Sequence, residues 1–139
     1  MSSSFSYLMP GAFSYSPSWT ASTTNPTLGN GTLVSSYMRF GPMVVYSVDV
    51  TFASGTSAGD GAWSFSLPVA AKNGYRFSGG AFLFDNGTAF DAGAVTATSM
   101  TLAQITSGTG NGNYANASYP FDWTSGDRFA FTLVYEAAG

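Results

Sequence analysis

The sequence predicts an all-β fold: an antiparallel β-sandwich of the jelly-roll type with about eight strands and an extended N-terminal arm. Short segments alternate apolar and polar residues with a period of two, the pattern of half-buried strands. Four Asn-Gly pairs punctuate these segments, and this dipeptide favours tight turns between antiparallel strands. No segment of about ten residues combines a 3.6-residue apolar period with helix caps.

The first half of the chain predicts one short strand and a long hairpin. A strand is expected near Tyr15 to Thr20, ahead of a turn-rich segment that reaches Asn30-Gly31. Thr32 to Phe40 and Met43 to Ala53 are joined by Gly41-Pro42, which predicts a hairpin. The second of these strands has a uniformly apolar side formed by Val44, Tyr46, Val48, Val50 and Phe52.

The middle of the chain predicts further short strands. Ala62 to Leu67 alternates until Pro68 ends it. Arg76 to Asp85 carries Gly79-Gly80 at its centre, which indicates either a β-bulge or a close approach of another backbone. Two weaker, Thr-rich strands follow, at Ala92 to Thr98 and Ser99 to Ile105.

The last third predicts a loop and one more strand. Thr106 to Pro120 is rich in Gly, Asn, Ser and Tyr without periodicity, so a long exposed loop is expected. Arg128 to Glu136 alternates again and forms the final strand. With 139 residues, of which 45% are hydrophobic, the chain is long enough for one core, and residues 15–139 are assigned to it.

Residues 1–14 are expected to be an arm held by a neighbouring molecule. Serine-rich termini need such attachment to become ordered. The expected anchors are the apolar side chains of the arm, namely Phe5, Tyr7, Leu8, Met9 and Phe13. The alternative is that the arm folds back on its own domain.

Composition excludes several functions. Only 8% of residues are charged, the net charge is −3 and the four cations are scattered, so a nucleic-acid groove is not expected. The chain contains neither Cys nor His, which removes thiolate nucleophiles and the usual general base and metal ligand. Neither a signal peptide nor an apolar run of about 20 residues is present, so we expect a chain synthesised in the cytoplasm without membrane insertion.

Carboxylates are the remaining acid–base candidates. A glycosidase pair could come from Asp85, Asp91, Asp122, Asp127 and Glu136. The turn contexts of Asp122 and Asp127 favour structural roles instead. The segment Asp85 to Asp91 resembles a calcium loop, but it lacks the alternating ligands and the closing Glu, so a hairpin turn is favoured. No enzymatic activity, metal or cofactor is expected.

The best candidates for contact with a partner or a glycan are aromatic residues near the long loop. They are Tyr114, Tyr119, Phe121 and Trp123. Flexible loops that carry Tyr and Trp suit recognition at low entropic cost. The alternative is that Phe121 and Trp123 cap the core before the last strand.

Three segments resemble small β-rich virion surface proteins of tailed bacteriophages, which are decoration or minor tail proteins. The segments are Trp19 to Leu33, Gly61 to Ala71 and Ser125 to Ala138, and the likeness extends from about Tyr15 to Ala138. The resemblance implies a structural protein of the virion without catalytic residues.

Within that resemblance we expect a capsid decoration protein on the outer head surface. The alternative is a minor tail or tail-fibre tip protein that binds a host-surface glycan. The expected partners are the major capsid protein or tail proteins of the same virion, and further copies of the chain. A homotrimer is predicted because an uncharged, aromatic-rich β domain would otherwise expose much apolar surface.

Overall fold

The computed structural model describes residues 12–87, 89–107 and 113–138, with the side chains of residues 89–91 excepted. The described residues form nine strands and no helix, because the alternating segments bury one side each. The described residues therefore include no helix that could cross a membrane. The strands are β1 (Phe13–Ser14), β2 (Trp19–Ala21), β3 (Thr32–Phe40), β4 (Met43–Thr51), β5 (Trp63–Ser66), β6 (Ser78–Asp85), β7 (Ala89–Ala97), β8 (Leu102–Ser107) and β9 (Arg128–Glu136).

All nine strands belong to one antiparallel sheet in the order β1-β3-β4-β9-β6-β7-β8-β5-β2. The predicted all-β antiparallel class is thus confirmed. The predicted sandwich of the jelly-roll type is not confirmed. The hydrogen-bonded ladder continues through every neighbouring pair of strands, and the single sheet curls into a half-barrel. Strand β1 also adds a ninth strand inside the segment assigned to the arm.

Contacts across the concave side show the curl. The Tyr46 hydroxyl of β4 donates to the Ser66 carbonyl of β5 at 2.9 Å, although four strands separate β4 from β5 in the sheet. Trp19 of the β2 edge reaches Phe129 of central β9, with ring centroids 5.6 Å apart. One sheet thereby encloses a core without a second layer.

The core lies on the concave face and is dominated by aromatic rings. Trp63 is fully buried and lies 5.3 Å from Phe129 and 5.1 Å from Trp123, measured between ring centroids. The inward side chains of β4 and β9, such as Val50 and Leu133, are also fully buried. Burial of this area is the main stabilising contribution, at about 25 cal/mol per Å² of apolar surface.

Two local predictions are resolved by the backbone. The β3–β4 hairpin is confirmed, and Gly41 at its turn has φ 57°, a conformation that favours glycine. At Gly79 the structure shows close approach: β6 keeps continuous register with β7, and a Cβ on Gly79 would meet the carbonyl oxygen of Thr132. The bulge alternative is therefore not what β6 uses.

The predicted exposed loop from Thr106 to Pro120 is wrong at both ends, and Thr106 and Ser107 belong to β8. Residues 108–112 lie outside the described residues, but Tyr114 pairs with Thr106. Ala115 is fully buried, and its carbonyl accepts a hydrogen bond from the Trp63 amide at 2.9 Å. This segment therefore returns to the sheet and closes one end of the core.

Candidate interaction surfaces

The four aromatic residues predicted to contact a partner lie at the end of the sheet closed by Ala115. Phe121 and Trp123 have ring centroids 4.4 Å apart, and the Trp123 indole donates to the Tyr119 carbonyl at 3.4 Å. The Tyr119 hydroxyl donates to Ser107 at 3.2 Å, and the Tyr119–Pro120 peptide bond is cis. The structure thus brings three of the four together.

Trp123 serves mainly the core. Only 8% of its surface is exposed, and its ring lies 5.3 Å from that of Phe52. Phe121 is half-buried and packs against the same core. The alternative that Phe121 and Trp123 cap the core therefore describes their geometry. The predicted contact with a partner or glycan is left chiefly to Tyr114 and Tyr119, whose side chains are half-buried.

The predicted arm is described only from residue 12 onwards. Of the predicted anchors, Phe5, Tyr7, Leu8 and Met9 lie outside the described residues. Phe13 pairs with Tyr37 of β3, with ring centroids 5.5 Å apart, and about half of its surface is exposed. At this one anchor the chain lies on its own domain, as the fold-back alternative expects.

Several carboxylates have structural partners. Asp127 is fully buried, and it accepts hydrogen bonds from the amides of Asn86 at 2.9 Å and Thr124 at 2.6 Å. Asp49 is held by Arg128, and Glu136 by Lys72. These bonds tie the acidic groups to turns and strands, as the turn context of Asp127 predicts.

The candidate calcium loop is a hairpin turn between β6 and β7. Asp85 pairs with Ala89 across the turn, and Gly87 has φ 79°. Thr88 and the side chain of Asp91 lie outside the described residues. Within the described part of the chain, no group of three or more acidic, His or Cys side chains could hold a metal ion.

A further surface was missed by sequence reasoning: the outward face of β3, β4, β9 and β6, named here the convex face. The register places Val34, Asp49, Ala130 and Phe82 side by side across the four strands. The signal that could have found it is apolar residues at positions that alternate with the buried ones. They are Val34, Met38, Phe40, Met43, Val45, Phe82, Phe84 and Val134.

A shallow trough of about 460 Å³ runs along the convex face. Val34 and Phe82 border it, and small residues such as Gly80 and Ala130 line its floor. The hydroxyls of Ser47 and Thr132 also lie there and bond each other at 3.0 Å. The trough is therefore mostly apolar, and the polar side chains of Ser47, Thr132 and Asp49 in its lining have partners.

An ion pair crosses the same face. The Arg128 guanidinium donates to both oxygens of the Asp49 carboxylate, at 2.9 Å from Nε and 2.5 Å from Nη2. These hydrogen bonds raise the pKa of Arg128 above its ordinary value. The fork is adjacent to Phe84, which pairs with Arg128 across β6 and β9.

Comparison with known proteins adds a relative. The chain is 31% identical over 114 residues to the Mu-like prophage FluMu defective tail fiber protein of Haemophilus influenzae (strain ATCC 51907 / DSM 11121 / KW20 / Rd). The chain is similar to part of a phage tail fibre protein. No family model matches the chain, and no solved structure matches it.

The alignment with the tail fibre protein covers 81% of this chain but only 18% of that protein. The alignment supports a phage structural protein. A tail fibre protein corresponds more closely to the tail alternative than to capsid decoration. The likeness therefore concerns a stretch about the size of this chain and not the whole fibre protein.

Proposed function

We propose that this chain is a non-enzymatic structural domain of a bacteriophage virion, located in a tail fibre or tail tip. The observation that carries the proposal is the 31% identity to a tail fibre protein over 81% of the chain. Placement on the outer head surface, expected from the sequence, has no comparable support. The tail alternative is therefore preferred.

The structure supports a structural role through the state of its polar groups. Asp127, Asp49 and Glu136 are engaged by amides or cations of the same chain. A catalytic carboxylate pair needs one group with a raised pKa and one free to attack or to activate water. These three carboxylates are instead used to fix turns and strands.

We further propose that the domain contacts other tail proteins and a host-surface glycan, and that it assembles as a homotrimer. Tyr114, Tyr119 and Phe121 lie at the closed end of the sheet, where aromatic faces can stack on sugar rings. Self-association is supported by the apolar side chains exposed outside the core.

Localisation on the virion tests the placement. Phage particles would be labelled with gold-conjugated antibody raised against the purified chain and imaged by negative-stain electron microscopy. The expected result is label at the distal tail with unlabelled capsids. Label distributed over the head surface would contradict the tail proposal and restore capsid decoration.

A matched pair of variants tests the glycan contact. Tyr114→Ala with Tyr119→Ala should reduce adsorption to host cells about tenfold, because stacking contributes about 0.5–1.5 kcal/mol per ring. Tyr75→Ala removes an exposed tyrosine elsewhere and serves as the control. Equal adsorption of both variants would assign recognition to another surface.

A further inference from the structure

The convex face exposes an unusual amount of apolar surface. Among the large hydrophobic side chains of the described residues that are exposed, most lie on this face. Val34 is 69% exposed and Val134 45%. The others on the face are Phe40, Met43 and Phe82. Isolated exposed apolar residues are normal, but a contiguous patch marks an interaction site.

The face has relief that suits tight packing. Phe82 and Phe84 lie side by side with ring planes only 9° apart and centroids separated by 6.1 Å, forming a ridge. The trough beside this ridge is floored by Gly80 and Ala130, which leave room for a side chain from outside. A ridge next to a trough allows one copy of the surface to pack against another.

The charges on the face favour a partner without net charge at the contact. Asp49 is neutralised by Arg128, and Glu136 at the end of β9 is neutralised by Lys72 at 3.1 Å. Since both pairs are neutral, the net charge of −3 arises from residues elsewhere in the chain. Two copies can therefore approach through this face without bringing unpaired like charges together.

The size of the convex face is also close to that of a protein–protein interface. Strands β3, β4 and β9 have nine residues each and β6 has eight, so at about 4.8 Å between strands the face spans roughly 19 Å by 30 Å. This flat outline of roughly 570 Å² approaches the area of about 800 Å² that each partner of a stable interface buries, before the relief of the side chains is counted. A small ligand would cover only the trough and leave the rest of the patch in water.

We propose that the convex face of β3, β4, β9 and β6 is the surface through which copies of this chain associate. The occupant is a neighbouring copy within the proposed homotrimer, which places its own apolar ridge against the trough. This inference rests on the self-association included in the proposed function and not on placement in the tail.

The first experiment introduces charge at two exposed positions of the face. Val34→Asp with Val134→Asp is expected to raise the dissociation constant at least a hundredfold in sedimentation equilibrium and to leave monomers. Both positions are already exposed, so the circular dichroism spectrum of the fold should be unchanged. Met100→Asp alters a residue with 41% exposure in the turn between β7 and β8 and should leave the assembly intact.

A second experiment does not depend on disrupting the face. Because the chain has no cysteine, Val134→Cys provides a single thiol of similar size. A short bismaleimide should link this variant into covalent dimers in dilute solution, while Met100→Cys should stay unlinked.

The outcomes separate the two proposals. If the wild-type chain is an oligomer and the double Asp variant remains one, the convex face is not the interface, whereas self-association stands. If the wild-type chain is a monomer at millimolar concentration, self-association fails and this inference fails with it. Neither result bears on the gold labelling of the tail.

Discussion

At the residue scale, two tryptophans of one aromatic cluster, buried Trp63 and half-buried Trp19, differ in their hydrogen bonding. The Trp63 indole donates to the Ala58 carbonyl at 2.8 Å. The buried indole nitrogen of Trp19 has no acceptor in the described part of the chain. An unsatisfied buried donor is costly, so the two rings contribute to stability in different ways.

Replacing each tryptophan with phenylalanine should reveal the difference. Trp63→Phe leaves the Ala58 carbonyl without its donor and a void in the core, which should lower the free energy of unfolding by about 2–3 kcal/mol. Trp19→Phe leaves a smaller deficit, because it also removes an unsatisfied N–H group. Urea denaturation measures both, and equal losses would contradict this account.

Buried phenols predict sensitivity to alkali. Burial, reinforced by the nearby Tyr15 and Tyr135, raises the pKa of Tyr46. Burial also raises the pKa of Tyr135 to about 12. The pKa of each phenol is higher in the folded than in the unfolded chain. The stability they contribute is therefore fully present below about pH 10 and is lost as the pH rises through 12.

The measurement is urea denaturation between pH 8 and pH 12. Above pH 10 the free energy of unfolding should fall by up to about 1.4 kcal/mol per pH unit for each such phenol. Tyr135→Phe should make the fall less steep, and Tyr75→Phe, which alters an exposed tyrosine, serves as the control. An unchanged slope in Tyr135→Phe would exclude this phenol as a cause.

At the element scale, two adjacent glycines of β6 have opposite surroundings. A Cβ at Gly79 would meet the Thr132 carbonyl oxygen, whereas a Cβ at Gly80 finds open space. Gly79→Ala should therefore cost about 2 kcal/mol through overpacking. Gly80→Ala should be neutral or stabilise by up to about 1 kcal/mol, because alanine loses less backbone entropy.

Both glycine variants would be compared by urea denaturation at one protein concentration. The wild-type chain gives the reference midpoint. A Gly80→Ala loss as large as that of Gly79→Ala would show that glycine is needed here for its conformational freedom and not for the approach of β9.

The arm gives a second prediction at this scale. Deleting Met1 to Ser14 removes β1 and the Phe13 ring that lies on Tyr37, but it leaves the Tyr15 hydroxyl bonded to Ser66 at 2.8 Å. The truncated chain should fold and fail to join phage particles that lack the protein. Deletion of residues 1–11 alone keeps β1 and is the matched comparison. Normal incorporation of the longer deletion would contradict an attachment role.

At the element scale, strands defined by interactions between residues close in the chain can be predicted from the sequence, and features that depend on distant residues cannot. Alternation is local, so the bounds of β3 and β9 are predicted from the sequence. The β8 strand begins later than expected, at Leu102, because Ser99 accepts hydrogen bonds from the amides of Thr101 and Leu102 and holds a turn. The position of Ala115 depends on its hydrogen bond with Trp63, which is far away in the chain. The local sequence around Ala115 therefore does not predict that it is buried.

At the scale of the whole molecule, the order of strands that are distant in the chain could not be predicted. The Gly41-Pro42 turn predicts that β3 pairs with β4, but no sequence signal predicts that β9 lies on the other side of β4. The same limit applies to the convex face, because the contiguity of Val34 and Phe82 requires four strands in the observed order. For the same reason the sequence leaves open whether Trp123 contacts a partner or caps the core, and the structure packs it on Phe52.

The whole molecule should release no reducing sugar from host-wall polysaccharide. The expectation follows from the absence of His and Cys and from the structural use of Asp127, Asp49 and Glu136. The measurement is a reducing-sugar assay on the purified chain. Activity that disappears in Asp85→Asn or Asp122→Asn, with the fold retained, would make the protein a glycosidase.

The central position of β9 also affects biosynthesis. Strand β9 pairs with β4 on one side and with β6 on the other, so the hydrogen-bonded ladder of the sheet passes from β3–β4 to β6–β7–β8 through this strand. During translation, β3–β4 and β6–β7–β8 leave the ribosome before β9 and expose open strand edges, which are prone to aggregation. A nascent chain interrupted before Arg128 would keep both edges open. We expect proteases of the host cell to clear such fragments, so that only chains translated through β9 enter assembly.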